Sequence, residues 1–209
     1  MSDQALSELL RRAAEGDPPP ADGGVSVLPQ GAEATPAVLA FTAHHVVVAD
    51  VPEEWVRARL PADDLSAPLN PPFLTALCAA TGREVNNIDA VLVAQGPAVA
   101  PELGLTPADD RTHERVRRAE DFRTDIRVWT CPGGLVLLGR GVGGRWEVAA
   151  EVDLEFRGKG LGRALFAAAR ALAPGDVPVW AQVAPGNAAS LRAVLAAGYR
   201  PVGAEVLLK

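Results

Sequence analysis

Two glycine-rich segments of this chain have the composition to hold an anion, and their contexts differ. Arg157-Gly158-Lys159-Gly160-Leu161-Gly162-Arg163 follows a strand-like run and opens a run with Leu165, Phe166, Ala169 and Leu172 at helical spacing. Glycines let successive backbone N–H groups converge on one anion with no Cβ in the way. A helix N-terminus adds partial positive charge, and Arg157, Lys159 and Arg163 add full charges. The G-x-x-x-x-G-K-[ST] spacing is absent, so this is not a P-loop. Taken alone, the segment also fits a solvated basic turn that only starts a helix. The second segment, Gly139-Arg140-Gly141-Val142-Gly143-Gly144, formally matches G-x-G-x-x-G. A dinucleotide fingerprint needs a helix after it, whereas Trp146-Glu147-Val148 reads as strand, which makes a hairpin turn the better reading.

Acids come next. Glu147, Glu151, Asp153 and Glu155 alternate along an expected strand over residues 145–155, so they share one face. Carboxylates so placed can take a proton from an ammonium group; the same pattern also fits a plain solvated face. Metal chemistry has no support in the spacing. His44 and His45 are adjacent in a strand-like run and point to opposite faces, and no zinc-type pattern occurs. Cys78 and Cys131 lack a partner motif and read as free thiols in a reducing cytoplasm.

The elements that must position these groups are clearest in the second half. Residues 89–94 read as a short strand. Thr106-Pro107-Ala108-Asp109 has a hydroxyl cap, a first-turn proline and an acid, which predicts a helix to about Phe122. Residues 126–130 and 135–138 read as a hairpin about Pro132-Gly133-Gly134. A strand over 145–155, a helix over 161–172, a strand over 177–183, a helix over 187–197 and final strands over 199–208 complete the pattern. This order mixes hairpins with crossover helices and predicts an α/β chain of α+β type, a mixed central sheet flanked by helices. In the first half, residues 2–14 read as a polar amphipathic helix within a segment starting at Met1. Residues 17–24 read as a linker, and 25–28 and 37–49 as extended. Residues 52–60 fit a short helix, and Asn70-Pro71-Pro72 opens another that Gly82 stops.

Bulk properties narrow the function classes. The 209 residues are 48% hydrophobic and 22% charged, enough to bury a sizeable core. A formal net charge of −6 argues against broad nucleic-acid binding. No run of 18 apolar residues and no signal-peptide pattern occurs, so no membrane role and a cytoplasmic location are expected.

The stretch 152–162, ending Arg157-Gly158-Lys159-Gly160-Leu161-Gly162, resembles the strand-loop-helix motif [QR]-x-x-G-x-[GA] of the GCN5-related N-acetyltransferase (GNAT) family. Downstream, Asn187-Ala188-Ala189-Ser190 and the closing Gly198-Tyr199 are similar to that family's second motif. The match covers residues 145–208. Residues 88–209 would then form the GNAT domain, with 1–87 an N-terminal extension or small accessory region. The resemblance implies acetyl-CoA as acetyl donor, its pyrophosphate on Arg157, Gly158, Lys159, Gly160, Leu161, Gly162 and Arg163. It implies a pantetheine arm paired with the backbone around Val152 to Leu154, and an acetyl group where strands 145–155 and 177–183 part. An acceptor amine would attack the thioester directly, with Glu151 the first candidate base and Glu147 the second. Asn187 and Ser190 would touch the cofactor; read from its own neighbours, Asn187 is equally a helix cap. The family's tyrosine seven residues after that asparagine is Val194 here, and the only tyrosine, Tyr199, falls at a core aromatic position. The implied activity is N-acetylation of a small-molecule or protein amine, with a homodimer left open. The alternative is an acyl-CoA-binding module without turnover. Acids facing the splay would suit a cationic amine.

Overall fold

The chain starts in α1 (Ser2–Glu15), whose Leu6, Leu10, Ala13 and Ala14 recur on one face and are all buried. Arg11 on its other face is held between Glu8 and Glu15, both at 2.6 Å. This computed structural model describes residues 2–31, 35–96, 101–175 and 177–209; Met1, where the expected amphipathic segment begins, lies outside them. Next come β1 (Val25–Leu28), β2 (Ala37–Phe41), β3 (His44–Val48), α2 (Glu53–Arg57) and α3 (Pro71–Thr81). They are followed by β4 (Val85–Ala94), β5 (Thr106–Ala108), α4 (Glu114–Glu120), β6 (Thr124–Cys131) and β7 (Gly134–Arg140). The last are β8 (Trp146–Val152), α5 (Leu161–Leu172), β9 (Val179–Val183), α6 (Ala188–Ala196) and β10 (Arg200–Leu208). Among the described residues no helix is long and apolar enough to cross a membrane.

Two compact units emerge, residues 1–91 with 202–209, and residues 92–201. In the first, strands run in the order β1-β3-β2-β10, with β1 parallel to β3 and the other neighbours antiparallel. Val38, Val47, Val206 and Leu208 pack against Val56 of α2 and against Phe73, Leu74 and Leu77 of α3. Gly82 ends α3 at φ 65°, a left-handed cap that suits glycine. The expected single extended run over 37–49 is instead a hairpin. Thr42 and Ala43 make its turn, with Ala43 at φ 51°, and both halves pair over Ala37–Phe41. At the start of β3, His44 Nδ1 lies 2.8 Å from Asp22 and its Nε2 lies 3.0 Å from Ser26. His44 thus ties the Asp22 loop and β1 to β3, while neighbouring His45 is buried on the other face of the strand.

The second unit holds the order β9-β8-β7-β6-β5, parallel at β8–β9 and antiparallel elsewhere. This is the mixed sheet with flanking helices that the element order predicts. Val116 and Ala119 of α4 pack on Val128, Leu135, Leu137 and Ala149 on one sheet face. On the other, α5 buries Leu165, Phe166, Ala168 and Ala169, and Leu165 reaches Gly134 of β7.

Three expectations fail here. Thr106-Pro107-Ala108 is not a helix start but an edge strand paired with Val128–Thr130. Proline is tolerated on an edge because its missing N–H has no ladder partner to lose. The helix begins eight residues later, capped by His113, whose Nδ1 accepts the Arg115 N–H at 3.1 Å. The strand expected over 145–155 ends at Val152; Leu154–Phe156 is a 3-10 turn. Phe156 turns back over Gly133, where a Cβ would stand 2.2 Å from its ring, so the chain leaves the sheet under an aromatic lid. Asp153 and Glu155 therefore do not continue the acidic strand face. The final strands over 199–208 are one strand, β10.

Candidate active-site cleft

Three local features of the second unit converge on one cleft. The first is the divergence of its two parallel strands. β8 and β9 pair over Trp146–Val179, Glu147–Trp180 and Val148–Ala181, and the register stops there. Ala149, Ala150, Glu151 and Val152 go on pairing with β7 alone. Beyond Val148 the β9 side of β8 thus opens.

The second feature is the glycine loop. Gly158 and Gly160 sit at φ 74° and φ 88°, left-handed conformations that side chains resist. Gly160 is the residue before α5, and no side chain caps that helix. The first-turn N–H groups of Leu161, Gly162 and Arg163 therefore lack intrahelical acceptors, and the helix dipole adds to their pull on an anion. The third is the start of α6. Asn187 Oδ1 accepts the Ser190 N–H at 3.1 Å, so Asn187 caps this helix as its position before the helix suggests.

These features enclose a cleft of about 580 Å³, within the range of small-molecule sites. Glu151, Val152, Arg157, Gly158, Gly160, Leu161, Gly162, Arg163, Asn187 and Ser190 all line it. Sequence reasoning had grouped these ten. Three others fall elsewhere. Leu154 is 78% exposed on the 3-10 turn. Lys159 borders an adjoining groove with Leu103 and Ala167. Glu147 is 1% exposed beneath the sheet.

Glu147 is a structural ion. Its carboxylate meets Arg123 Nε and Arg145 Nε, each at 2.8 Å, and accepts the Val142 N–H at 3.3 Å. Burial opposes its ionisation, yet the Arg145 and Arg123 guanidiniums together hold its carboxyl below the usual carboxylate range. The second glycine-rich segment wraps this ion: a Cβ on Gly141 would stand 2.2 Å from the Glu147 carboxyl carbon. That segment is the β7–β8 hairpin turn, with a 3-10 turn at Val142–Gly144, rather than a nucleotide loop.

Glu151 has different surroundings. It shares the α4 face of β8 with Glu147 but lies in the cleft wall, its Oε2 3.1 Å from Arg115 Nε, with both side chains 38% exposed. Arg115, on the first turn of α4, carries no motif, and its segment resembled a helix begun elsewhere; this is why sequence reasoning missed it. Arg157 donates from Nε to the Val152 carbonyl at 3.0 Å across the mouth of the open edge. Val194, at the family's tyrosine position, is fully buried. Tyr199 is no substitute: its hydroxyl donates to the Phe166 carbonyl at 3.1 Å, and burial pushes its pKa up. Burial and the nearby Asp153 carboxylate also raise the Cys131 thiol above its ordinary range.

Protein-family models and curated proteins gave no match. Among solved structures, the chain is similar to a GCN5-related N-acetyltransferase from Kribbella flavida, at 20% identity and TM-score 0.43, over 66% of this chain and 63% of that one. It is similar to another from Sphaerobacter thermophilus, at 18% identity and TM-score 0.42, over 64% and 54% of the two chains. A tandem GNAT protein from the clavulanic acid biosynthesis pathway matches at 17% identity and TM-score 0.39, over 82% and 62%. Each match takes in less than two-thirds of the other structure.

Proposed function

We propose that this protein is an acetyl-CoA-dependent N-acetyltransferase whose site is the cleft between the open edge of β8 and the N-termini of α5 and α6. One observation carries the reading: an uncapped, glycine-lined helix start and an unpaired strand edge line the same cavity. The first suits a pyrophosphate, the second an extended amide-bearing arm, and acetyl-CoA has both. Arg157, Arg163 and the α5 N–H groups would hold the phosphates, and the Val152 backbone the arm. When bound, acetyl-CoA supplies a thioester whose carbonyl carbon takes the amine's lone pair as the C–S bond breaks and the thiolate leaves.

The chain's own task is proton transfer. Glu151 is the base, because among the described residues it is the acid that lines the cleft; Glu147 is committed to two guanidiniums. Val194 has no acidic proton and Tyr199 is buried with its hydroxyl on the Phe166 carbonyl, so the thiolate leaves ionised and takes its proton from water. That same vacancy of an acid favours a second reading, a module that binds acyl-CoA without turnover.

Calorimetric titration with acetyl-CoA, CoA and NAD tests the site, and thiol release tests turnover. Micromolar binding of the two CoA species but not NAD is expected. Failure of every CoA species to bind would withdraw both readings, and binding without thiol release across a broad amine panel would leave the second.

A further inference from the structure

We infer that the acceptor is an α-amino acid, held as a zwitterion by the Arg115–Glu151 pair; this rests on the acetyltransferase reading above. The cleft meets both faces of β8. Ala150 and Val152 point to the α5 side, where the glycine loop lies, and Glu151 points to the α4 side, where Arg115 stands. A donor on the first side leaves the Arg115–Glu151 side to the acceptor.

The charges there do not suit a polycation. Among the described residues lining the cleft, Glu151 is the one acid, set against Arg115, Arg157, Arg163 and Arg192. Glu147, which the strand pattern offered as a second acid, is sealed between Arg123 and Arg145. With the donor's phosphates on Arg157 and Arg163, the acceptor side keeps one carboxylate, Glu151, already paired with Arg115, and offers a dication no second anion.

A zwitterion meets complementary groups. Glu151 is engaged through Oε2 alone, leaving Oε1 to accept from an ammonium. Arg115 is engaged through Nε alone, leaving the paired Nη edge that matches a carboxylate in bidentate fashion. The nitrogen and carboxyl carbon of an α-amino acid are about 2.5 Å apart, from two bonds and one angle, so its two charges arrive as one compact pair that adds no net charge to the site. The His113 cap fixes the turn that presents Arg115, at 3.1 Å to its N–H. Amine and carboxylate separated by a longer chain lose this match, as does a peptide N-terminus, whose neighbouring carboxyl is an amide.

The test compares amino acids with their decarboxylated partners, histidine with histamine, tryptophan with tryptamine and arginine with agmatine. Thiol release gives kcat/KM, and calorimetry gives acetyl-CoA affinity separately. Wild-type protein is expected to favour at least one amino acid over its partner by tenfold or more. R115Q should collapse that ratio to within about twofold, and R115K should restore part of it through KM. Equal or better use of the amines, or a ratio that survives R115Q, overturns the zwitterion site. So does acetyl-CoA binding with no amino acid acetylated. Loss of acetyl-CoA binding by the wild-type chain would instead bring down the acetyltransferase reading beneath it.

Discussion

A carboxylate's neighbours decide whether it can move a proton, and the two acids on the α4 face of β8 differ in this respect. Glu147 is closed in by Arg123, Arg145 and the Val142 N–H, whereas Glu151 meets Arg115 alone and borders the cleft. Glu147→Gln removes the buried carboxylate that Arg123 and Arg145 share. Breaking a buried pair in this way costs about 3–5 kcal/mol, so denaturant unfolding should shift markedly. Glu151→Gln, in a half-exposed pair, should leave unfolding nearly unchanged and lower kcat by about 100-fold or more. A Glu147→Gln protein of wild-type stability, or a Glu151→Gln protein of full activity, would reverse the assignment. The sequence presents these acids as equivalents. Alternation tells which face a residue takes, but Arg123 comes from the loop before β6 and Arg115 from a helix, and no spacing links either to β8. Gly141 shows the same limit: its place in G-x-G-x-x-G looks like nucleotide chemistry, yet the missing Cβ makes room for the Glu147 carboxyl.

Elements built from contiguous residues were the legible ones. The helix over 161–172 is α5 to the residue, because its stripe, its glycine start and its cations all lie within a few turns. The loop before it was legible for the same reason, although its two leading cations are not equal. Arg157 lines the cleft and Lys159 does not, lying 5.7 Å from the Phe156 ring centroid beside another groove. Arg157→Glu should therefore weaken acetyl-CoA binding tenfold or more, about 1.4 kcal/mol, even though Arg157 must first leave the Val152 carbonyl. Lys159→Glu should change it less than about threefold. Equal effects in calorimetry would mean that the anion lies across both grooves. Gly160→Val should also weaken binding, since φ 88° strains any side chain and the empty space beside it is where the ligand would approach. Less legible were features set by distant partners. β5 carries a helix-start pattern that pairing with β6 overrides, and the strand divergence exists only in the register between β8 and β9.

At the scale of the whole chain, the first unit is discontinuous, and a boundary at residue 87 drawn from local pattern could not register this. β10 returns to pair with β2 through Ala204–Ala40 to Leu207–Ala37, placing Val206 and Leu208 in the core of α3 and β3. A chain beginning near Asn87 deletes β2, β3 and α3 and exposes that apolar edge. It is expected to aggregate on size-exclusion chromatography; a monodisperse fragment with unchanged acetyl-CoA affinity would show that β10 needs no such partner. The same unit should carry a pH dependence of its own. His45 is buried, and first its desolvation, then the charge of neighbouring His44, lower its pKa from the ordinary 6.5. The folded state thus binds a proton less readily than the unfolded chain. Stability from keeping His45 neutral is complete above 6.5 and is lost as the pH falls from there through the lowered folded value. Glu147 acts in a separate window, because its lowered carboxyl matters only below the ordinary 4.5. Unfolding midpoints at pH 7.5 and 5.5 isolate the histidine: the wild-type midpoint should drop between them, and His45→Gln should drop less. Parallel slopes in the two proteins would place the titration on another group and leave His45 as packing alone.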